Sequence, residues 1–591
     1  MSTTAMEPLR VALEATSLSG VKAQGDAIDW SACPSPQNTI KALPCAHIDP
    51  SMDVVCTKPG TKSCARCKLV SYCSKECQTT HWKLHKLECN GFVRSSKWKP
   101  VWTEENRGPG YKIGGAPDEG LHFGEHTLWG GMPPIDVVNL DQNEQSAKKD
   151  LNIAFASSGD FRNVLKTVNS LPDNYAGKVD VSINDPNPLI ACRNLTILLV
   201  LGSYPDEGTA VDVALHHWFS AFVPNDYHTI ASTAARSFLD HILKGSTSFK
   251  LPNTRSTVYL SPSASSPTFG KTRDAVEHIC GKHIPTKEQA RVAHERVRFA
   301  ASRRDHRDRV MAQLKPSHRL AFQKFRETGI VLPYGAPNSH FDTANASLFS
   351  PRGEWLQPDL ADPLQGWGIP EVMKSGAAHG AQPEDIYGCL YFHLSDQLRE
   401  FRQRIRTKFT TSFRITSLAL TEWAVYIREA RPPHVKSDRI DVGDNMDHDR
   451  SGTKAVLPVF APLLSPGKDS AYLQRDGRAK GANEKLRNMA LGKVVMDMRR
   501  EDQMGPDAMK NLALGDGFFF SVTNHVDLGK QGLDEVLQKT GLKLREAHRI
   551  VPHVRPPSTP SAGARSSDST LCAASCLGVA RSVGYQTIFR Q

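Results

Sequence analysis

Eight of the thirteen cysteines in this 591-residue chain fall between Cys33 and Cys89. The densest part reads CARCKLVSYCSKECQTTHWKLHKLEC, from Cys64 to Cys89, and also holds His81 and His85. Thiolate sulfur and imidazole nitrogen are the ligands a tetrahedral zinc ion takes, four at a time. Cys64 and Cys67 form a CxxC pair, which presents two sulfurs from one tight turn. Cys73 with Cys77, and His85 with Cys89, are each spaced by four, which places both members of a pair on one face of a helix. Cys45 and Cys56 make a fourth pair across a longer gap, with His47 and Cys33 as substitutes for Cys45. Eight ligands make two sites, so the expected cofactor is a pair of structural Zn2+ ions. With every position filled by protein there is no place for an activated water, and the cluster should bind rather than catalyse.

Spacing also bears on which pairs share an ion. At about 1.5 Å per residue, Cys77 and His85 lie roughly 12 Å apart along a helix, too far for a common zinc, so an interleaved arrangement is favoured over a sequential one. A module of about 45 residues buries too little surface to fold alone, whereas each structural zinc contributes on the order of 10 kcal/mol. The metal is expected to be its core.

Cys64, Cys67, Tyr72, Cys73, Cys77, Gln78, His81, Trp82, His85 and Cys89 stand in the order of a MYND zinc finger, which the region from Cys45 to Cys89 closely resembles. The resemblance implies one ion held by Cys45, Cys56, Cys73 and Cys77 and another by Cys64, Cys67, His85 and Cys89. It also implies docking of proline-rich peptides over Gln78 and Trp82, and a solvent-facing or packing role for His81 rather than a ligand role. An exposed indole stacking on a polyproline II ridge, which is already ordered, is a reasonable physical basis for such docking.

The remaining chain must position this module. Its length exceeds what one core supports, and 39% hydrophobic with 23% charged residues is the balance of a soluble globular protein. No apolar run reaches the roughly 18 residues of a membrane span. The opening MSTTAMEPLRVALEAT shows no basic segment followed by an apolar one, so an intracellular, reducing setting in cytoplasm or nucleus is expected. Residues 97–117, with Trp98, Trp102 and Tyr111, read as an anchored strap. Residues 151–156 alternate as a strand, 157–160 turn, 161–171 have helical spacing, and KVDVSINDPNP gives a second strand ending at Asn184 and Asp185. Strand, turn, helix, strand is a βαβ unit and predicts a parallel sheet. Gly159, Asp160 and Asp185 would border a nucleoside-type ligand crevice, although Asp160 opposes a phosphate there and is also suited to capping the following helix.

LWGGMPPIDVVNL, SSGDFRNVLKT and VSIND resemble an uncharacterised domain found beside MYND fingers in fungal proteins and at the N-terminus of a dynein axonemal assembly factor. The resemblance implies a methyltransferase-like shape but no catalytic set. The expected fold class is therefore α/β, a small zinc-stabilised finger followed by a larger Rossmann-like domain with helical insertions. The expected domains are an extension (1–44), the finger (45–89), a strap (90–120), the α/β domain (121–550, best matched over 121–230) and a disordered tail (551–591). Residues 287–315, with a net charge of +5, read as a solvated basic helix, and VLPVFAPLL (456–464) as a buried strand. A helix is expected over 533–548, after the apolar run GFFFSV. Cys192, Cys280 and Cys389 read as inert buried thiols.

Three functions follow. The first is a protein-protein adaptor that docks proline-rich segments. The second is a methyltransferase-like enzyme or S-adenosylmethionine binder, and the third a nucleic-acid-associated regulator. No SET-type NHSCxPN motif and no GxSxG occur.

Overall fold

Alternating apolar residues build the strands that carry the body, while the finger relies on short hairpins and one helix. The computed structural model describes residues 28–36, 39–49, 54–110, 128–131, 133–252, 254–259, 268–432, 434–443, 453–466, 471–475, 533–544 and 585–590. Tyr111, GFFFSV, residues 545–548, Cys572, Cys576 and residues 551–584 of the expected tail lie outside them.

In the finger, β1 (Ile48–Asp49) pairs antiparallel with β2 (Val54–Val55), and β3 (Lys62–Ser63) with β4 (Ser71–Tyr72). The finger helix then runs Lys75–Cys89. Ser74 starts it, its hydroxyl accepting from the Cys77 amide at 3.3 Å, as a helix N-terminus requires.

The body opens as the periodicity predicts, with β5 (Leu151–Phe155), a helix Arg162–Ser170 and β6 (Lys178–Asn184). A helix Pro188–Ser203 follows, started by Asn187 as N-cap and Pro188, and its residues from Ile190 to Ser203 are all buried. β7 (Phe222–Val223) later pairs with β10 (Thr343–Ala344) in a separate two-stranded ribbon. The main sheet adds β8 (Ser248–Lys250), β9 (Thr257–Tyr259), β11 (Thr410–Thr416), β12 (Arg439–Asp441), β13 (Ala471–Arg475), β14 (Leu542–Leu544) and β15 (Tyr585–Arg590). Its order is β14-β15-β13-β12-β5-β6-β11-β9-β8. The six strands from β13 to β9 are mutually parallel; β8, β14 and β15 add antiparallel pairings at the two ends. The chain leaves β5 toward β6 and later crosses to the other side of β5 to form β12.

The two sheet faces differ. On one, Ile153, Phe155, Val179, Val181, Ile183, Phe413 and Ile415 pack with the helices Arg162–Ser170, Pro188–Ser203 and Ile386–Gln403 in the large core. On the other, Ala154, Ala156 and Ile440 meet Trp423, Ile427, Val456, Leu457 and Phe460 in a second, smaller core.

Several elements depart from the sequence reading. Residues 453–460 form a helix rather than a strand, followed by a 3-10 turn Ala461–Leu463. Val456, Leu457 and Phe460 recur at helical spacing on the sheet side, and Phe460 packs 6.0 Å from Trp423 between ring centroids. The expected final helix stops at Thr540 and the chain turns into β14. Tyr585–Arg590, placed in the tail by composition, pairs with β13 and β14. The basic stretch is not a solvated helix: it splits into Lys287–Arg298 and Arg304–Ala312, which bury His294, Val297, Arg298, Asp305, Asp308 and Met311. The strap causes part of this, because Arg107 Nη2 donates to Asp305 at 2.9 Å and the Val101 amide to Asp308 at 3.0 Å.

The finger sits directly on the body. A Cβ at Gly335 would lie 2.7 Å from Ala46 of the finger. Arg319 donates to the carbonyls of Val93 and Ser95 at 2.7 and 2.9 Å and lies 4.9 Å over the Trp98 ring, while Lys68 pairs with Glu384 at 3.2 Å. Residues 28–44, where described, also lie on the body: Tyr204 donates to the Pro34 carbonyl at 2.9 Å and the Ile40 amide to Asp212 at 3.3 Å.

Among the described residues the most deeply buried ion pair joins Arg439 of β12 to Glu144 at 2.7 Å, with side chains 0% and 1% exposed. Removing one partner leaves the other charged without its main compensation in a low-dielectric setting. Arg439→Ala should therefore lose about 3–5 kcal/mol of stability, read as a lowered urea midpoint for the body.

Candidate metal centre

The finger brings eight ligand atoms into two groups. Cys45, Cys56, Cys73 and Cys77 form one, and Cys64, Cys67, His85 and Cys89 the other, with the ligand atoms of each group within 4.8 Å of one another. In the first, Cys56 Sγ lies 3.7 Å from Cys73 Sγ and 4.0 Å from Cys77 Sγ, and Cys73 Sγ lies 3.5 Å from Cys77 Sγ. A tetrahedral ion with Zn–S bonds near 2.3 Å separates its sulfurs by about 3.8 Å. In the second, Cys67 Sγ is 3.4 Å from His85 Nε2, which identifies Nε2 as the ring atom facing the centre.

Local structure sets this geometry. Cys64 and Cys67 come from the turn between β3 and β4, where the Lys68 amide donates back to the Cys64 carbonyl at 2.9 Å and Lys68 takes a positive φ of 57°. Cys73 follows β4, and Cys77, His85 and Cys89 project from the finger helix. Cys45 and Cys56 flank the β1–β2 hairpin: the Cys56 amide donates to the His47 carbonyl at 3.0 Å, which closes the long gap between them. The other two candidates for the Cys45 position lie elsewhere. His47 is outside both groups, and Cys33 donates to Thr233 of the body at 3.3 Å.

Electrostatics gives a reason for a dication. Burial raises the Cys45 thiol to about 12 and also raises Cys77 and Cys89. Its contact with Cys64, and then burial, pushes Cys67 up. Only Cys64, stabilised first by Cys67 and drawn down to about 3, and Cys73, stabilised first by Cys77, shift toward the thiolate. The protein alone thus disfavours ionising all the thiols of a group. A bound divalent cation reverses that, because a coordinating thiol is deprotonated outright. The donor set fits two zinc ions, each with four protein ligands and no position left for a reacting molecule.

The neighbours shape the finger. His81 is outside both groups, its Nδ1 3.1 Å from Tyr72 Oη and its ring stacked on His85 at 6.1 Å. Burial lowers its pKa. Gln78 and Trp82, four apart on the helix, are both half-buried; Gln78 accepts from Lys75 at 3.4 Å, and Trp82 packs edge-on to His85 at 5.9 Å. Leu84, Leu87 and Phe92 are exposed, at 45%, 76% and 60%. Sequence reading missed these three, since an apolar helix residue looks the same on either face until burial is known. Leu87 lies nine residues from Gln78, about half a turn away around the helix.

The second candidate site lies at the carboxyl ends of β5 and β6. Gly159 has φ of +62°, and a Cβ there would meet nothing within 4 Å, so its outer side is open. The carboxylates beside it face inward. Asp185 accepts from the amides of Gly159 and Asn187, both at 2.9 Å. Asp160 accepts from the Gly130 amide and pairs with Arg162, each at 2.8 Å. Arg162 and the deeply buried Arg193 hold the Asp160 carboxyl below its usual range despite its burial. Arg193 also donates to the Gly159 carbonyl at 3.1 Å. The structure thus brings Gly159, Asp160 and Asp185 together as a loop braced from within.

Comparison with known proteins adds family relations. Residues 54–89 match the family described as MYND finger, and residues 128–223 match one described as Domain of unknown function (DUF4470). The chain carries both; Cys45, just before the matched finger, joins the first group through geometry. Ubiquitin carboxyl-terminal hydrolase 19 of Arabidopsis thaliana is 58% identical over 52 residues, 9% of this chain and 8% of that protein. N-lysine methyltransferase SMYD2 of Mus musculus is 48% identical over 47 residues, 8% and 11% of the two chains. SET domain and MYND-type zinc finger protein 6 of Schizosaccharomyces pombe is 48% identical over 40 residues, 7% and 8%. The chain therefore spans only about a tenth of the length of these curated relatives. No solved structure matches the chain.

Elemental analysis of the purified chain should give two equivalents of zinc. Cys64→Ser and Cys73→Ser should each retain about one, because the groups share no ligand. One variant losing both ions would mean that the sites do not fold independently.

Proposed function

We propose that the protein is a zinc-dependent adaptor of the cell interior, whose finger docks a proline-rich segment of a partner protein while the α/β body supplies a rigid mount. The closure of both metal groups by protein ligands carries this reading, since it leaves the ions a structural role. Similar finger segments occur in proteins named as a ubiquitin hydrolase and as lysine methyltransferases, which supports a portable module independent of the reaction beside it. Among the described residues no helix is long and apolar enough to cross a membrane.

Gln78 and Trp82 on one helix face suit an extended peptide: the indole offers a flat apolar surface and the amide a hydrogen-bonding group. Trp82→Ala should abolish capture of proline-rich peptides while zinc content stays at two equivalents. Leu87→Asp, on the other side of the helix, should leave capture intact. The opposite pattern would move the docking face to Leu84, Leu87 and Phe92.

A second reading makes the Gly159 loop a Rossmann-like crevice for a methyl donor. The open side of Gly159 favours it, and the inward engagement of Asp160 and Asp185 weighs against it. On this reading S-adenosylmethionine at ten times its dissociation constant should stabilise the protein by about 1.4 kcal/mol, seen as a raised melting temperature. No shift at millimolar ligand removes it.

A further inference from the structure

Parallel sheets in α/β folds are ordinarily covered on both faces, and their strands read as near-continuous apolar runs. Here β6 and β11 alternate instead. Asp180, Ser182 and Asn184 of β6 stand in register with Ser412, Arg414 and Thr416 of β11, and Ser412 and Arg414 are in turn in register with Thr257 and Tyr259 of β9. All lie on the face opposite Val181 and Phe413. The second core covers this face over β5 and β12, through Ala154, Ala156 and Ile440, whereas Asp180, Ser412, Thr257 and Tyr259 are only half-buried and Thr410 and Lys178 are exposed. A polar strip thus runs across three neighbouring strands, β6, β11 and β9, and opens to solvent at their amino ends.

Two guanidinium groups occupy the strip. Arg431, which follows the helix Leu420–Glu429, donates through Nη2 to Asp180 and to Ser182 Oγ, the latter at 2.9 Å, and through Nη1 to Ser437 at 3.1 Å. Arg414 lies 4.7 Å over the Tyr259 ring, with Nη1 3.9 Å from the same Asp180 oxygen. Both arginine side chains are 6% exposed, against 29% for Asp180. Among the described residues Arg414 Nη1 and Arg431 Nε are buried without a hydrogen-bond partner. The next carboxylate, Asp438, is engaged by Lys149 at 3.1 Å and by the Asn152 amide at 2.9 Å. Two buried cations therefore share one partly exposed carboxylate, and unused donors remain. Burial, with the neighbouring Arg414, holds Arg431 below the ordinary guanidinium value.

We propose that this half-open polar face binds a phosphate-type oxyanion between the guanidinium groups of Arg414 and Arg431. A net positive charge under low exposure calls for an anion, and planar guanidinium forks match phosphate oxygens in pairs. Stacking on Tyr259 fixes Arg414 in advance, so little side-chain entropy is lost on binding. The site is separate from the finger and from the Gly159 loop, and depends on neither functional reading.

The test uses the full chain and follows its melting temperature against inorganic phosphate or adenosine monophosphate, with sodium chloride at matched ionic strength as control. A dose-dependent rise with either is expected, disappearing in Arg414→Gln. Asp180→Asn removes the competing carboxylate while keeping its shape, so it should bind the effective anion about tenfold more tightly, and its stability should depend more on that anion. A response to phosphate alone assigns a free-ion site; a response to the nucleotide assigns the phosphoryl group of a larger molecule. If neither ligand shifts the wild type or Asp180→Asn over the chloride control, the arginine pair is purely structural and the proposal fails.

Discussion

Thiols gathered within 4.8 Å of one another cannot all ionise unless a cation stands among them, and the finger depends on that constraint. Its strands are two residues long and its helix buries only His85 and Cys89, while the apolar residues it does bury, Ala46, Leu69, Val70 and Tyr72, belong to the core it shares with the body. The two ligand groups pull together what hydrophobic burial could not. Because the pairs interleave, each ion ties an early hairpin or turn to the finger helix, and the helix serves as a strut between the two centres.

The body rests on a different balance. One sheet face is packed in the usual apolar way, and the body holds the finger through contacts such as Ala46 against Gly335. The other face is divided between a small apolar core and a strip of arginine, aspartate and hydroxyl groups. Charges taken inside are held by partners from distant parts of the chain. Arg439 reaches Glu144 and the carbonyls of Val137 and Val138, and Asp160 is braced by Arg162 and Arg193. The cost of desolvating such pairs offsets most of their attraction, so the intact pair adds little net stability even though losing one partner is costly.

Much of the finger was legible because ligand spacing is short-range. CxxC and the two spacings of four already describe a turn and a helix face, and the separation of Cys77 from His85 along that helix, roughly 12 Å, argued against their sharing an ion. The βαβ start of the body was legible for a similar reason, as periods of two and of three to four are visible within a few residues. What misled was composition. VLPVFAPLL is apolar enough for a strand, yet Val456, Leu457 and Phe460 line one helix face. The basic stretch 287–315 looked solvated, yet it contains Asp305 and Asp308, which hold the strap. Tyr585–Arg590 lies in a stretch that composition alone assigned to a tail.

By itself the sequence determined the ligand types, their order, the zinc chemistry they permit, and the strand and helix at the start of the body, because each depends on residues close together along the chain. Only the tertiary structure decided that Cys45 rather than His47 or Cys33 completes the first group, that Asp160 and Asp185 turn inward, and that Arg414 and Arg431 meet over a single carboxylate. Those outcomes depend on burial and on pairings such as Arg431 with Asp180, 251 residues apart. The free energy of a charge or a thiol is set by what surrounds it, and that environment exists only once the chain has folded.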